Sequence, residues 1–292
     1  IRCRRRISRR DRNEYGLRGG CVEGCASWFG GFCMPGRQAR KYAFISERVK
    51  CKAKIVKALL LAAGLGSRLR PITNHIPKCL VPIDGKPLLS YWLDALFGAG
   101  IDSILINVHY LSDQVTAFVT SRSDRDRITI VEERTLLGTA ATLKENVEFF
   151  SGESSLVIHA DNFCTASVPN FINQHRIRPE CAELTMMTFW SAEPKTCGIV
   201  VVDEQGIVRE FHEKVASPPG NIANAAIYVF EDSVLQYISQ SKDGELIDIS
   251  KDLIPKYLGR IYATPADGVV VDVGTPAKLE RAQSYARNLH GT

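Results

Sequence analysis

Three stretches of strand length, residues 57–62, 103–108 and 155–160, are apolar almost throughout. A strand with one face in water alternates apolar and polar residues, so an unbroken apolar run marks a strand covered on both faces. Helical patterns lie between the runs. Pro87 opens PLLSYWLDALFGAG as a first-turn proline, and Gly98 and Gly100 supply the stop. Ser112 is the expected cap of SDQVTAFVTSR. Residues 128–131 read as a short strand and residues 138–149 as a helix. This βα alternation predicts a parallel sheet with helices on both faces.

Beyond residue 183 the texture changes. Residues 184–190, 198–202, 207–211 and 222–230 are strand-like and close together, with Asp203-Glu204-Gln205-Gly206 as a hairpin-type turn. Residues 248–258 read as helical and residues 268–271 as a last buried strand. Thr275-Pro276 is a cap and first-turn proline for a C-terminal helix, with Leu279, Ala282 and Ala286 at helical spacing. No repeat or linker divides residues 56–292, which are expected to form one domain.

Residues 1–55 are of another kind. They hold 15 Lys/Arg against four acids, whereas residues 56–292 hold 22 against 28. They also carry five of the nine cysteines. Their arginine block suits a signal-peptide n-region, but Glu23 and several glycines interrupt the stretch that should be apolar. Four acids and few serines make a poor transit peptide. A basic arm for nucleic acid is a minor reading, and the mildly acidic remainder argues against a nucleic-acid partner. The segment is expected to be disordered or a non-native extension, with Val56 as the natural start. The longest apolar run, around residues 58–63, is far too short for a membrane span. Cys21, Cys25 and Cys33 lack zinc spacing, while Cys79, Cys164, Cys181 and Cys197 are scattered singly. That usage suits reduced thiols in a cytosolic chain.

The loop after the first strand carries the chemistry. It reads Leu61-Ala62-Ala63-Gly64-Leu65-Gly66-Ser67-Arg68-Leu69-Arg70-Pro71, with Pro77-Lys78 downstream. Two glycines let the backbone turn sharply and bring amide N–H groups up to an anion. Arg68 offers a planar donor fork, and Lys78 adds a mobile point charge. The loop is therefore suited to a polyphosphate. A dinucleotide fingerprint would need glycine at Leu69, and no Gly-Lys-Ser/Thr of a Walker loop occurs.

This string resembles the signature of the sugar-1-phosphate nucleotidyltransferases, and the resemblance runs through most of residues 56–288. It implies an α/β, Rossmann-like fold in three layers, a mostly parallel mixed sheet with helices on both faces. It implies nucleotide contacts at Ala62, Ala63, Gly64, Gly66, Ser67 and Arg68, and a second segment formed by Glu133 with Leu137-Gly138-Thr139-Ala140. Asp161, after its apolar run, and Asp272, in Asp272-Val273-Gly274-Thr275-Pro276, match the metal-binding aspartates, which implies Mg²⁺ as cofactor. Gly198, Glu213, Lys214 and Asn224 match the sugar-phosphate contacts. Arg68, Lys78, Asp161 and Asp272 form the expected catalytic set. Ala160, Val215 and Ala226 stand where Gly, Pro and Gly are frequent, and Ser67 where Thr is. These departures bear on the sugar more than on the reaction.

A reaction of this kind needs alignment and neutralisation of two polyanions, because the sugar phosphate is itself the nucleophile. Two carboxylates at strand ends suit Mg²⁺, which keeps waters and phosphate oxygens as its other ligands. His109 and His159 are expected to be structural. The expected activity is cytoplasmic and transfers the nucleotidyl group of GTP to mannose 1-phosphate, giving an NDP-sugar and pyrophosphate. Uridylyl transfer to a glucose-type or amino-sugar 1-phosphate, cytidylyl transfer to phosphocholine, and a non-catalytic NDP-sugar-binding regulator stay open. The expected partners are NTP and sugar 1-phosphate, without nucleic acid or membrane, and a homodimer stays open as the assembly.

Overall fold

The computed structural model describes residues 55, 57–150 and 152–290. The basic segment, and the expectations attached to it and to Val56, lie outside the described residues. Strand β1 (Lys57–Leu61) leads through short 3₁₀ turns to the ribbon β2–β3 (Pro82–Ile83, Lys86–Pro87) and helix α1 (Leu88–Gly98). Then come β4 (Ser103–Val108), α2 (Ser112–Thr120), β5 (Ile128–Glu132), α3 (Thr139–Glu145) and the single turn α4 (Val147–Phe150). Strands β6 (Ser155–His159) and β7 (Asn162–Cys164) precede α5 (Val168–Ile177). The second half runs through β8 (Leu184–Trp190), β9 (Gly198–Val202), β10 (Val208–Glu213), β11 (Ile222–Phe230) and α6 (Asp232–Gln240). It ends with β12 (Ile261–Pro265), β13 (Val270–Asp272) and α7 (Pro276–His290).

The main sheet has the order β10-β9-β11-β6-β1-β4-β5, with β8 also paired to β11 and β12 paired to β8. Strands β6, β1, β4 and β5 are parallel. Strand β11 runs against them and forks: residues 227–230 pair with β6, while Ala223 pairs with β9. The mixed sheet lies in the middle of three layers, as expected. Ala58 and Leu60 face one apolar layer with α1, α2 and α5, and Leu59 and Leu61 face the other with α3 and α6. Each fully buried leucine contributes about 2 kcal/mol, which is why β1 is apolar on both faces. A third cluster joins Leu279, Ala282 and Ala286 of α7 to Phe163 and Val271.

Several local expectations give way. The helix foreseen over residues 138–149 breaks after Glu145, where the Asn146 amide donates to the Thr142 carbonyl at 2.8 Å. Residues 248–258 form a π turn (Ile249–Leu253) and a 3₁₀ turn (Ile254–Tyr257), because Pro255 lacks the N–H that an α-helix needs. Ser112 does not cap α2. Its hydroxyl donates to Glu132 at 2.8 Å, and the helix starts from Leu111 in a left-handed conformation. The last strand, β13, lies outside the main sheet and pairs antiparallel with β7. Helices α5 and α6 and strand β12 carry no expectation from the sequence pattern. Among the described residues, no helix is long and apolar enough to cross a membrane.

Candidate active site

The chain turns sharply past the end of β6, and the Ala160 amide donates to the Leu61 carbonyl at 3.0 Å. Asp161 sits in that turn. Asp272 reaches it by another route than the expected parallel strand end. In the β7–β13 ribbon Asp272 stands opposite Asn162, beside Asp161. The Lys78 ammonium lies between the two carboxylates, 2.6 Å from Asp161 Oδ2 and 3.2 Å from Asp272 Oδ1. Lys78 is only 6% exposed, so it is a fixed charge and not the mobile one expected. Burial opposes its charge, yet the Asp161 and Asp272 carboxylates outweigh that and hold its pKa above the ordinary lysine value. Conversely, burial disfavours the Asp161 carboxylate, but the Lys78 charge holds its pKa below the usual range. Arg68 is exposed, with Nη2 4.0 Å from Asp272 Oδ2. Gly274 follows closely, and a Cβ there would lie 3.1 Å from Arg68 Nη2 and from both Asp272 oxygens, a tight contact with side-chain ends.

Two cavities meet at this cluster. One spans about 680 Å³ including its open mouth and is lined by Ala62, Ala63, Gly64, Lys78, Glu133, Gly138 and Thr139. The other encloses about 1030 Å³ including its open mouth, and is lined by Arg68, Gly198, Glu213, Lys214, Asn224 and Asp272. His159 and Asp161 line both. The structure thus gathers most of the expected residues and sorts them into the two expected groups. Three differ. Arg68 borders the second cavity, away from the nucleotide group it was expected to join, and Gly66 and Ser67 line neither. Gly66 shapes the loop: its φ is +62°, and its carbonyl accepts the Thr73 hydroxyl at 2.8 Å.

Glu133 forms the floor of the first cavity and is 6% exposed. Its Oε1 accepts from the Asn107 amide at 2.8 Å and from the Thr142 hydroxyl, and its Oε2 accepts from the Leu137 amide at 3.3 Å. Asn107 Oδ1 in turn accepts from the Ala62 amide at 2.9 Å. Asn107 and Thr142 therefore orient the two loops that wall this cavity. Asn107 was not singled out in the sequence, although it is the one amide in the apolar run SILINV. Gly138 has φ +95°, and a Cβ on it would lie 2.6 Å from the Ile247 carbonyl oxygen. His109 Nδ1 is 2.7 Å from the Glu133 carbonyl, a structural contact, whereas His159 Nε2 is buried without a hydrogen-bond partner.

In the second cavity, a Cβ on Gly198 would lie 2.6 Å from Glu213 Oε2, so glycine leaves room for that carboxylate. Lys214 Nζ is 3.1 Å from Glu213 Oε1. Asn224 accepts from the Ala226 amide at 2.9 Å and donates to the Tyr228 hydroxyl at 2.7 Å, which leaves one of its N–H groups free for a ligand. Glu193 and Lys278 also line this wall, and neither was foreseen. Among the described residues no cluster of three or more His, Cys, Asp or Glu is gathered to hold a metal. Mg²⁺ asks for less, one or two carboxylates with substrate phosphates and waters. Asp161 and Asp272, with a cation already held between them, fit that requirement.

The sequence profile of the nucleotidyl transferase family matches residues 57–288. The chain is 31% identical over 226 residues to the mannose-1-phosphate guanylyltransferase catalytic subunit beta of Drosophila pseudoobscura pseudoobscura, across 75% of this chain and 59% of that protein. It is 31% identical over 239 residues to the UTP–glucose-1-phosphate uridylyltransferase of Synechocystis, across 75% of this chain and 60% of that protein. The chain thus spans about three fifths of the length of these relatives. Among solved structures, HddC from Yersinia pseudotuberculosis has the same fold, with a TM-score of 0.67 at 21% identity, over 80% of this chain and 100% of that one.

Proposed function

The chain belongs to the nucleotidyl transferase family, and we propose that it joins the nucleotidyl group of an NTP to a sugar 1-phosphate, releasing pyrophosphate. The observation that carries this reading is the pair of cavities meeting at Asp161. The NTP occupies the cavity walled by the glycine loop, and the sugar phosphate occupies the other. The α-phosphorus then lies at the junction, beside Lys78, Asp161 and Asp272.

An oxygen of the sugar phosphate forms the new bond to the α-phosphorus while the bond to the pyrophosphate oxygen breaks in line. The nucleophile is already an anion, so no side chain has to take its proton. Repulsion between the substrates is the main obstacle. Two unit charges 4 Å apart cost about 4 kcal/mol at an effective dielectric near 20. Lys78, Arg68 and Lys214 offset that repulsion, and Lys78 stands at the junction beside both aspartates. Asp161 and Asp272 would hold Mg²⁺, which when bound supplies further neutralisation at phosphate oxygens. Glu213 and Asn224 hydrogen-bond sugar hydroxyls. A cytoplasmic setting suits the four unpaired thiols of the described residues.

For the base we favour guanine, with mannose 1-phosphate as acceptor. Glu133 lines the nucleotide cavity, and its Oε2, which among the described residues accepts only from the Leu137 amide, has one acceptor site left for a base donor. Guanine offers two adjacent donors, N1–H and the 2-amino group, whereas uracil offers one N–H between two carbonyl oxygens. The Drosophila relative's name agrees with this choice, and the Synechocystis relative's name keeps UTP as the second reading. The test is pyrophosphate release by the full chain with Mg²⁺, crossing GTP, UTP, dTTP, CTP and ATP with mannose, glucose and N-acetylglucosamine 1-phosphates and phosphocholine. GTP with mannose 1-phosphate is expected to turn over fastest, and Asp161→Asn to lose about 100-fold or more. A faster UTP pair would replace the base assignment. NDP-sugar binding without any release would replace catalysis with regulation.

A further inference from the structure

Lys278 stands in the first turn of α7 and lines the second cavity. Its Nζ is 3.9 Å from Asp272 Oδ2 and 3.8 Å from Glu193 Oε2. Both separations are beyond hydrogen-bond reach, and among the described residues this ammonium donates no hydrogen bond. Its side chain is only 23% exposed, against 60% for Lys214, which has Glu213 at 3.1 Å. Two carboxylates thus lie within ion-pair distance but neither accepts a hydrogen bond, so the three N–H donors of Lys278 are available to a ligand in the cavity.

Neutralising its neighbours does not explain Lys278. Asp272 already has Lys78 at 3.2 Å, closer than Lys278. Glu193 is 64% exposed, so water serves its charge. What the position does supply is a directed cation on the cavity wall between the Asp272 side and the Glu193 loop. The positive end of the α7 dipole adds to it.

We propose that Lys278 is a phosphate contact of the acceptor, donating with Lys214 to the oxygens of the sugar 1-phosphate. This rests on the reading of the second cavity as the acceptor site. It makes Lys278 a residue that selects phosphorylated acceptors, and its role is separate from nucleotide binding.

The test compares the full chain with its Lys278→Met and Lys278→Arg variants. Calorimetry without NTP measures binding of mannose 1-phosphate and glucose 1-phosphate, and steady-state kinetics gives KM for both substrates. Lys278→Met is expected to weaken sugar 1-phosphate binding roughly 10- to 100-fold, as the loss of a charge-assisted hydrogen bond does. KM for the NTP should stay within about twofold of wild type, and Lys278→Arg should recover most of the loss. Should the Met variant unfold, Lys278→Gln is read in the same way. Sugar 1-phosphate binding by Lys278→Met equal to wild type overturns the proposal and leaves the acceptor site standing. An equal loss for both substrates overturns it as well. Failure of the wild-type chain to bind any sugar 1-phosphate overturns the acceptor site and this contact together.

Discussion

Ala226 holds a left-handed backbone, φ +55°, at the fork of β11. Its amide donates to Asn224 Oδ1, so this one residue helps aim Asn224 at the second cavity. An L-residue costs about 1–2 kcal/mol in that region, and glycine escapes the cost. Glycine in turn gives the unfolded chain more freedom, which returns about 0.4–1 kcal/mol. Ala226→Gly is therefore expected to raise the unfolding free energy by about 0.5–1 kcal/mol in a urea titration. A fall instead would mean that the hydrogen bond to Asn224 has already relieved the backbone. Residue-level chemistry was unevenly legible in the sequence. Lys78, Asp161, Asp272 and Glu133 sit in strings with a recognisable pattern. Asn107 left a fainter sign, a lone amide in a strand otherwise buried on both faces. Lys278 left none, because a lysine on the first turn of a helix reads as a solvated charge until the cavity beside it is seen.

Among the elements, the β7–β13 ribbon positions the chemistry most directly. It crosses outside the main sheet and sets Asp272 opposite Asn162. Its approach depends on Gly268, where a Cβ would lie 2.7 Å from the Thr165 carbonyl carbon and the Ala166 amide nitrogen. Backbone cannot swing aside as a flexible side chain can. Gly268→Ala is expected to push β13 off β7, lower turnover about tenfold or more and lower the melting temperature. A lower melting temperature at full turnover would show that Asp272 is held by Lys78 instead of by the ribbon. The ribbon also marks where sequence reasoning stops. Strands β1 and β4 were legible because burial on both faces makes them apolar along most of their length. A three-residue strand has no such length to show its pairing, and its partner is remote in the chain. Helix α5 was hidden for a different reason: VPNFINQHRI mixes polar residues into its buried side, where His175 finds partners only in the folded chain.

Among the described residues, the two ends of the parallel strands carry different charge clusters. Past the C-terminal ends of β1 and β6, Lys78, Asp161 and Asp272 pair with one another at the edge of the cavities. At the opposite end the cluster closes around Glu231, which follows the strand residue Phe230 paired with Ser155. Glu231 accepts from His175 Nε2 at 2.9 Å, from the Ser154 hydroxyl at 2.9 Å and from Arg178. Helix α5, the start of β6 and the end of β11 are thereby tied together. The His175 hydrogen bond, helped by the Arg178 charge and resisted by burial, brings the Glu231 carboxyl down from its ordinary 4.5 to about 2. A depressed carboxyl stabilises the fold above its unfolded-state pKa, and that contribution is lost as pH falls through the folded one. The full linkage is about 3 kcal/mol, and solvent screening of a partly exposed group brings it nearer 2 kcal/mol. The unfolding free energy is therefore expected to drop by about 2 kcal/mol between roughly pH 5 and pH 2 in excess of the drop shown by Glu231→Gln. The same variant should be less stable than wild type by a similar amount at neutral pH, where His175 and Arg178 lose their acceptor. Parallel stability curves for the two chains would move the acid sensitivity to other carboxylates, with those of the cleft first among them.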